Sequence, residues 1–377
     1  MIVFLAVAAL LVAAIALFMN RPEFGRAPRG ERLERIRRSP NYRDGAFRNR
    51  HATPQLTSGK GWWATMYDFL FERQERNRPD HALPAVKTDL KALDPKENLL
   101  VWFGHSSYLI QADGLRILVD PVFETASPLP FFNRPFEGTD LYKPEDMPGI
   151  DLLVITHDHW DHLDYGTVTK LRDRTGRVVC PLGVGEYFEY WSFDPQRITE
   201  LDWGEQVALG GGFTVYCRPA RHFSGRTFRA NRTLWASFVV ETPSQRIFLG
   251  GDGGDGLEGY ATADQLKDSY FCACYAKGSS TAFEDAYKAE YGEAYPNGFA
   301  PLGYDAAMTV VYGIKAAEEQ GLEAGSDEYK QAVIDAIAGG TIEGITGTFT
   351  FDEHHNPVKS TAILTYVDGK PELKEMF

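Results

Sequence analysis

The feature that most constrains this chain is a run of metal-binding side chains directly after a short apolar segment. The segment LLVI is typical of a buried strand, and it leads into HDHWDH at residues 157–162. His157 and His159 are two residues apart, so an extended loop places both imidazoles on one side, while Asp161 and His162 turn towards a second position. Nitrogen and oxygen ligands at a rigid strand end predict a site for zinc or another borderline divalent metal.

Two later residues have the chemistry to complete such a site. His222 follows the apolar run FTVYC and Asp252 follows RIFLG, so both are expected on loops at strand ends. A carboxylate at Asp252 can bridge two cations. A histidine or an aspartate after a strand is common, so neither residue alone would indicate a metal site. Their order after HDHWDH is what makes them candidate ligands.

That order resembles the metallo-β-lactamase superfamily, in which H-x-H-x-D-H is followed by a later histidine and then an aspartate. The similarity is closer to the branch that resembles N-acylphosphatidylethanolamine-hydrolysing phospholipase D and L-ascorbate-6-phosphate lactonase. The segments VWFGHSSYLIQADGLRILVDPVF, THDHWDHLD and PARHFSGR carry it, and NRPEFGRAPRGERLERIRRSPNYRDG extends it to about residues 20–255. The resemblance implies an αββα sandwich, here incomplete, and the short strands separated by turns favour such a sandwich over a doubly wound sheet.

The resemblance also assigns roles to the candidate residues. It implies a first metal held by three histidines, a second held by an aspartate and a histidine, and one bridging aspartate. In that order the metal ligands are His157, His159 and His222, then Asp161 and His162, then Asp252.

The same resemblance assigns roles to further residues. Asp161 is expected to orient the attacking water, and Asp120, after LRILVD, to support the ligand loop from behind. His105 lies in the FGHSS turn beside the site, where a catalytic role and a structural one both stay open. The family ends with one more histidine on the second metal. Beyond the bridging aspartate this chain has only His354 and His355, which are not expected to replace it.

The arginine content changes abruptly near residue 256. All 25 arginines lie at or before Arg246, whereas beyond Gly256 there are 20 acidic residues, 8 lysines and no arginine. The segments GGDGLEGY, STAFEDAYKAEYGE, LGYDAAMTVVYGIKAA and GITGTFTFDEHHNPVKSTAILTYVDGK resemble the C-terminal third of a leucine/isoleucine/valine-type periplasmic binding protein. Both observations predict a junction, followed by part of a type I binding-protein lobe.

The first 19 residues, MIVFLAVAALLVAAIALFM, carry no charge, and about 20 apolar residues span a bilayer. They lack a basic n-region and a clear cleavage site, which favours an uncleaved transmembrane anchor over a signal peptide. Seven arginines between Arg21 and Arg38 predict a bacterial inner-membrane protein whose catalytic domain lies on the cytoplasmic side.

The sequence therefore predicts four segments. They are an anchor (1–19), an extended, solvated arm with a linker (20–96), a metallo-β-lactamase-like domain (97–255) and a binding-protein-like segment (256–377).

The predicted function is that of a membrane-anchored hydrolase with one or two Zn²⁺ ions. Its expected substrate is a small-molecule or lipid phosphodiester, cleaved as by a phospholipase D. A chimeric chain with an incomplete, inactive site and a branched-chain amino-acid binding module of an ABC transporter remain the alternatives. The net charge of −13 argues against a nucleic-acid partner, because phosphate binding needs a basic surface. No pattern in the chain predicts an oligomeric state.

Overall fold

The computed structural model describes residues 1–50, 61–71, 78–79, 81–129, 132–227, 229–253, 263, 270–292, 298–353 and 355–377. Contacts divide the chain into two compact units, residues 1–254 and 255–377.

The helices and strands of the described residues are numbered in chain order. The α-helices are α1 (Ile2–Met19), α2 (Gly30–Arg38), α3 (Trp62–Phe71), α4 (Tyr165–Leu171), α5 (Gly185–Tyr190), α6 (Thr281–Tyr291), α7 (Phe299–Glu319) and α8 (Asp327–Gly339). The strands of the first unit are β1 (Tyr42–Arg43), β2 (Ala46–Phe47), β3 (Leu99–Gly104), β4 (Ser107–Ala112), β5 (Leu115–Val119), β6 (Ile150–Val154), β7 (Thr175–Pro181), β8 (Ile198–Leu201), β9 (Gln206–Gly210), β10 (Phe213–Arg218), β11 (Ser237–Glu241) and β12 (Arg246–Leu249). Those of the second unit are β13 (Tyr270–Ala273), β14 (Ile342–Gly344), β15 (Gly347–Phe351), β16 (Pro357–Lys359), β17 (Ala362–Val367) and β18 (Lys370–Met376).

The first unit is built on two main sheets. One has the order β3-β4-β5-β6-β7-β8, with antiparallel pairing from β3 to β5 and parallel pairing from β5 to β8. The other has the order β12-β11-β10-β9 and is antiparallel throughout. The apolar runs that predict strands account for most of these elements, whereas β8 and β9 are too polar to be recognised in the same way.

Alternation along the strands sorts the side chains into two cores. Ile117 and Val119 on β5 belong to a cluster that also contains Val215 and Phe238 of the four-stranded sheet, so this cluster lies between the sheets. Leu118 points the other way and belongs to a second cluster that includes residues of α4 and α5. The period of two along β5 therefore produces a sheet–sheet–helix layering.

Parallel pairing places two functional segments side by side. β5 and β6 run parallel with Val119 opposite Val154, so the residues that follow both strands leave the sheet at the same edge. Asp120 follows β5, and its backbone N–H donates to the Val154 carbonyl oxygen at 3.0 Å. The HDHWDH loop follows β6 and therefore begins beside Asp120.

The N-terminal segment before the sandwich is not the extended, solvated arm that its composition predicts. Ile36 on α2 and Phe47 on β2 are fully buried and belong to the core between the sheets. Arg32 of α2 is also mostly enclosed, because its guanidinium pairs with three glutamates of the sandwich. Although the segment is mostly polar, a few apolar side chains are enough to pack it against the core between the sheets.

The prediction of a transmembrane helix is wrong. Among the described residues, no helix has both the length and the apolar character needed to cross a bilayer. The anchor predicted at residues 1–19, and the inner-membrane location with a cytoplasmic catalytic domain that depended on it, are therefore corrected.

The second unit contains two three-stranded sheets, β13-β17-β18 and β14-β15-β16. The segments STAFEDAYKAEYGE, YDAAMTVVYGIKAAEEQG and DEYKQAVIDAIAGG have a helical period, and they form α6, α7 and α8, whose ends follow ordinary capping chemistry. Ser280 caps α6 and Ser326 caps α8 through their side-chain oxygens, and Gly292 ends α6 in the left-handed conformation. The pattern of GTFTFDEHHNPVKSTAILTYVDG predicts two strands around a turn at residues 354–357. The segment instead forms β15, β16 and β17, because a second interruption between Lys359 and Ala362 divides the later strand in two.

Candidate metal centre

The loops after β6, β10 and β12 bring all six predicted ligands into one region of the first unit. With His105, from the turn between β3 and β4, their side chains form two groups that could each hold a metal ion, and each group has all its ligand atoms within 4.8 Å of one another. The first group is His157, His159, His222 and Asp252, and the second is His105, Asp161 and His162.

In the first group, three imidazole nitrogens converge. His157 Nε2 lies 2.9 Å from His159 Nδ1, and His222 Nε2 lies 3.2 Å from the same atom. Zn–N bonds of 2.0–2.1 Å in a tetrahedral site separate two ligand nitrogens by about 3.3 Å. The observed spacing is close to that value, so the three nitrogens fit around one ion.

Asp252 lies between the two groups. Its Oδ1 atom is 3.1 Å from His162 Nε2, and its Oδ2 atom is 3.7 Å from His222 Nε2. Each carboxylate oxygen therefore faces a histidine of a different group, as a bridging ligand must.

The position of Asp252 beside the histidines depends on Gly251, the residue before it. Gly251 has φ +56°, and a Cβ atom there would lie 2.8 Å from the Cβ of Thr156. A glycine is needed at this position because the backbone packs directly against the first turn of the HDHWDH loop.

The second group contains the turn residue His105. His105 has φ 47°, a conformation that few residues other than glycine adopt, and its Nε2 atom lies 3.0 Å from Asp161 Oδ2. Both side chains are substantially exposed, at 58% and 40%. His105 thus lies at the open side of the site and touches a predicted ligand.

Asp120 holds the buried side of the second group. Its Oδ2 atom accepts hydrogen bonds from His162 Nδ1 at 2.7 Å and from Thr156 Oγ1 at 2.6 Å, and its Oδ1 atom accepts from the Thr156 N–H at 2.8 Å. With Nδ1 as the donor, His162 presents its Nε2 atom to the site. Asp120 therefore lies where the sequence predicts a supporting carboxylate.

The first group is electrostatically suited to a cation. Burial lowers the pKa of His157 well below its usual value, and the charges of His162 and His159 act in the same direction. Burial also lowers the pKa of His159, and it lowers the pKa of His222 to about 4. At pH 7 these three imidazoles are neutral, which is the form that binds a metal ion.

In the second group, neighbouring charges and hydrogen bonds outweigh burial, so the charged forms of His162 and Asp161 are favoured. Burial opposes the charge of His162, but Asp120 outweighs it through its charge and its hydrogen bond and raises the pKa of His162 to about 10. Burial also opposes the charge of Asp161, yet the hydrogen bond with His105 and the charge of His162 lower the pKa of Asp161 to about 2. A cation bound at His162 would take the place of a proton.

One buried nitrogen without a hydrogen-bond partner indicates whether these residues fit a metal ion. Among the described residues, the buried His162 Nε2 atom has no hydrogen-bond partner, although Asp252 Oδ1 is 3.1 Å away. A buried imidazole nitrogen without a partner is costly, and a metal ion is one of the few groups that satisfy it. Imidazoles and carboxylates are donors that divalent metal ions use in proteins, so the residues present fit a divalent metal ion.

Two functional residues escape sequence analysis. Asp158, inside HDHWDH, is buried and accepts hydrogen bonds from Tyr187 Oη at 2.8 Å, Thr233 Oγ1 at 2.9 Å and the Gly225 N–H at 2.7 Å. Its place between two ligands could have drawn attention to it. Arg226 is also buried, and its place at the end of PARHFSGR, a segment that carries the family resemblance, is the signal that could have found it.

Two histidines follow Asp252 in the sequence. His354 is outside the described residues, and His355 belongs to the second unit, where it has φ 62°.

Comparison with known families follows the same division of the chain. The β-lactamase superfamily domain matches residues 115–266, and the periplasmic binding protein family matches residues 244–371. The chain joins a metallo-β-lactamase-like domain to a periplasmic-binding-protein-like domain. Both predicted resemblances and the predicted mixed α/β fold class are thereby confirmed.

Individual relatives match the first of these domains. An uncharacterized protein of Mycobacterium bovis is 37% identical over 218 residues, which cover 57% of this chain and 58% of that protein. N-acyl-phosphatidylethanolamine-hydrolyzing phospholipase D 1 of Caenorhabditis elegans is 30% identical over 211 residues, covering 49% of this chain and 58% of the relative. A metal-dependent hydrolase of Pyrobaculum neutrophilum is 30% identical over 158 residues, covering 41% and 60%. The chain thus spans less than two thirds of the length of these relatives.

Proposed function

We propose that the first unit is a zinc-dependent hydrolase that cleaves phosphodiester bonds. The position of Asp252 carries the proposal, because its two oxygens face histidines of two separate ligand groups, at 3.1 and 3.7 Å. A carboxylate placed between two groups of histidines is the arrangement that a bridging metal ligand requires.

When bound, a pair of zinc ions would polarise a phosphoryl oxygen and lower the pKa of a water molecule towards neutrality. The protein's own part is to place the reacting groups. Asp161, held by His105 at 3.0 Å, has one carboxylate oxygen with which to orient the attacking water. His105 lies at the open side, where an entering substrate would meet it.

The overall reaction is the addition of water across one P–O ester bond. The water oxygen bonds to phosphorus, the bond to the ester oxygen breaks, and the alcohol leaves with one of the water's protons. The named activity of the worm relative supports a phosphodiester substrate, including a lipid.

The rim of the site favours a substrate with an apolar part. Phe223 is 37% exposed, and its ring centroid lies 4.5 Å from that of His159 and 4.8 Å from that of His222. An exposed aromatic ring against two ligand imidazoles offers an apolar wall to whatever reaches the phosphoryl position.

The test is the zinc content of the purified full chain together with hydrolysis of bis(p-nitrophenyl) phosphate. We expect close to two zinc ions per chain and measurable hydrolysis. The double variant His157→Ala/His159→Ala should lose the first ion and the activity. The single variant His355→Ala, which changes an exposed histidine of the second unit, should keep both. Zinc content and hydrolysis that are unchanged in the double variant would rule the proposal out.

A further inference from the structure

The main chain of His222 is held by a side chain from the N-terminal segment, residues 20–50. Asn49 Nδ2 donates to the His222 carbonyl oxygen at 2.8 Å, and Asn49 Oδ1 accepts from the His222 N–H at 3.3 Å. The same Oδ1 atom accepts from Trp235 Nε1 at 3.1 Å, and Trp235 is almost fully buried. One amide thus binds both polar groups of a predicted ligand's backbone and is itself tied to the core.

The loop that carries His222 has a second contact with this segment. The Phe47 N–H donates to the Asn231 carbonyl oxygen at 2.9 Å. Asn231 closes the loop on itself, because its N–H donates to the Ser224 carbonyl oxygen at 2.9 Å and its Oδ1 atom accepts from the Ser224 N–H at 3.0 Å. The fully buried Phe47 therefore fixes the far end of the His222 loop.

The HDHWDH loop is held to the N-terminal segment by Arg226. Its Nη1 atom donates to the carbonyl oxygen of Asp158, near the start of the loop, at 3.0 Å and to that of Leu163, just after its end, at 2.5 Å. Its Nη2 atom donates to the Glu23 carbonyl oxygen at 2.8 Å, and its guanidinium lies 3.9 Å from the ring centroid of Trp160. The buried arginine spans the histidine-rich loop and ends on the main chain of residue 23.

We infer that residues 20–50 are a positioning element of the metal centre, with Asn49 as the residue that sets His222. The inference rests on the proposed function, since it supposes that His222 binds a metal. His222 Nε2 must stay near His159 Nδ1, which lies 3.2 Å away, and the described residues of its loop, 219–227 and 229–236, form neither helix nor strand. Groups that orient metal ligands in this way typically change metal affinity about 10- to 100-fold when they are removed.

The test compares Asn49→Ala with Asn41→Ala in the full chain. Asn41 is a matched control, because it lies in the same segment and also makes a side-chain hydrogen bond, to Asp202 Oδ1 at 2.8 Å, but does not touch a ligand loop. Three quantities are measured: zinc affinity by competition with a chromophoric chelator, the visible absorption spectrum of the cobalt-substituted protein, and the thermal unfolding midpoint.

We expect Asn49→Ala to lower zinc affinity by about 10- to 100-fold and to alter the cobalt spectrum. Asn41→Ala should change neither, at a similar unfolding midpoint. Unaltered affinity and spectrum in Asn49→Ala, or an equal loss of affinity in Asn41→Ala, would overturn the inference. If Asn49→Ala does not fold, Asn49→Gln, which displaces the amide by one methylene, is judged by the same two criteria. A wild-type chain without bound zinc would instead overturn the metal centre itself, and this inference with it.

Discussion

Oδ2 of Asp120 lies 2.7 Å from Nδ1 of His162, and both side chains are fully buried. The pair joins the end of β5 to the HDHWDH loop and turns the other imidazole nitrogen towards Asp252. A carboxylate in this position sets the tautomer and the orientation of the histidine at once.

We therefore expect Asp120→Asn to weaken the second metal site more than the first. The asparagine keeps the shape but is a poorer acceptor for His162 Nδ1, so zinc affinity at the weaker site should fall by about 10- to 100-fold. Metal content after dialysis against graded zinc concentrations measures this. Asp173→Asn, at a carboxylate that is 87% exposed, is the control, and equal losses in both variants would contradict the assignment.

The bridging position of Asp252 leads to a second prediction. Asp252→Ala removes both oxygens that face His162 and His222, so the zinc content should fall from about two ions to one or fewer and phosphodiester hydrolysis by at least about 100-fold. Metal analysis and steady-state kinetics on one preparation provide the measurement. Full zinc content in this variant would show that the carboxylate does not bridge.

The N-terminal segment also supports the stability of the first unit through Arg32. Its guanidinium contacts Glu186 at 2.7 Å, Glu189 at 2.5 Å and Glu200 at 2.6 Å, and the side chains of Glu186 and Glu200 are 2% and 9% exposed. Arg32→Met removes one cationic partner from each of these carboxylates, although Glu186 keeps Arg26 and Glu200 keeps the N–H groups of Gly183 and Gly185. The unit should therefore lose about 1–3 kcal/mol of stability at pH 7. Arg37→Met, on the exposed side of α2, should cost far less in the same denaturant titration.

The same cluster predicts a pH dependence. The hydrogen bond with Arg32 lowers the pKa of Glu189 below its usual value, so the pair stabilises the fold above that usual value and loses its effect as the pH falls through the lowered pKa. The stability difference between the wild type and Arg32→Met should therefore shrink on acidification below about pH 4.5. A difference that stays constant down to pH 3 would speak against it.

In the second unit, Asp305 holds the turn between β14 and β15. Its carboxylate accepts from the Ile345 N–H at 2.7 Å and from the Thr346 N–H and Oγ1 at 2.9 and 2.5 Å, and it is 3% exposed. Asp305→Ala leaves these donors unsatisfied and should lower the stability of this unit by about 2–4 kcal/mol. Thermal unfolding measures the loss, and Asp335→Ala, at an exposed position of α8, should have little effect.

Much of the candidate site could be predicted because its signals are local. The spacing within HDHWDH and the apolar runs before His222 and Asp252 are visible in the sequence, and a strand end is a rigid place for a ligand. The apolar run at residues 1–19 predicted a helix, which is present as α1, but the transmembrane prediction built on that run was wrong. The polar composition of residues 20–50 predicted a solvated arm, but the segment packs on the core of the first unit. Only a few buried side chains, such as Ile36 and Phe47, are needed for this packing, so the composition does not reveal it.

The sequence by itself determined which side chains can bind a metal, in what order, and on which strand ends, because ligand type and the period of two along a strand are local properties. Only the tertiary structure decided that His105 joins Asp161, that Asp252 faces both groups, and that Asn49 and Arg226 hold the ligand loops. These contacts link residues from tens to about 200 positions apart, and their geometry depends on how the two sheets and the N-terminal segment pack.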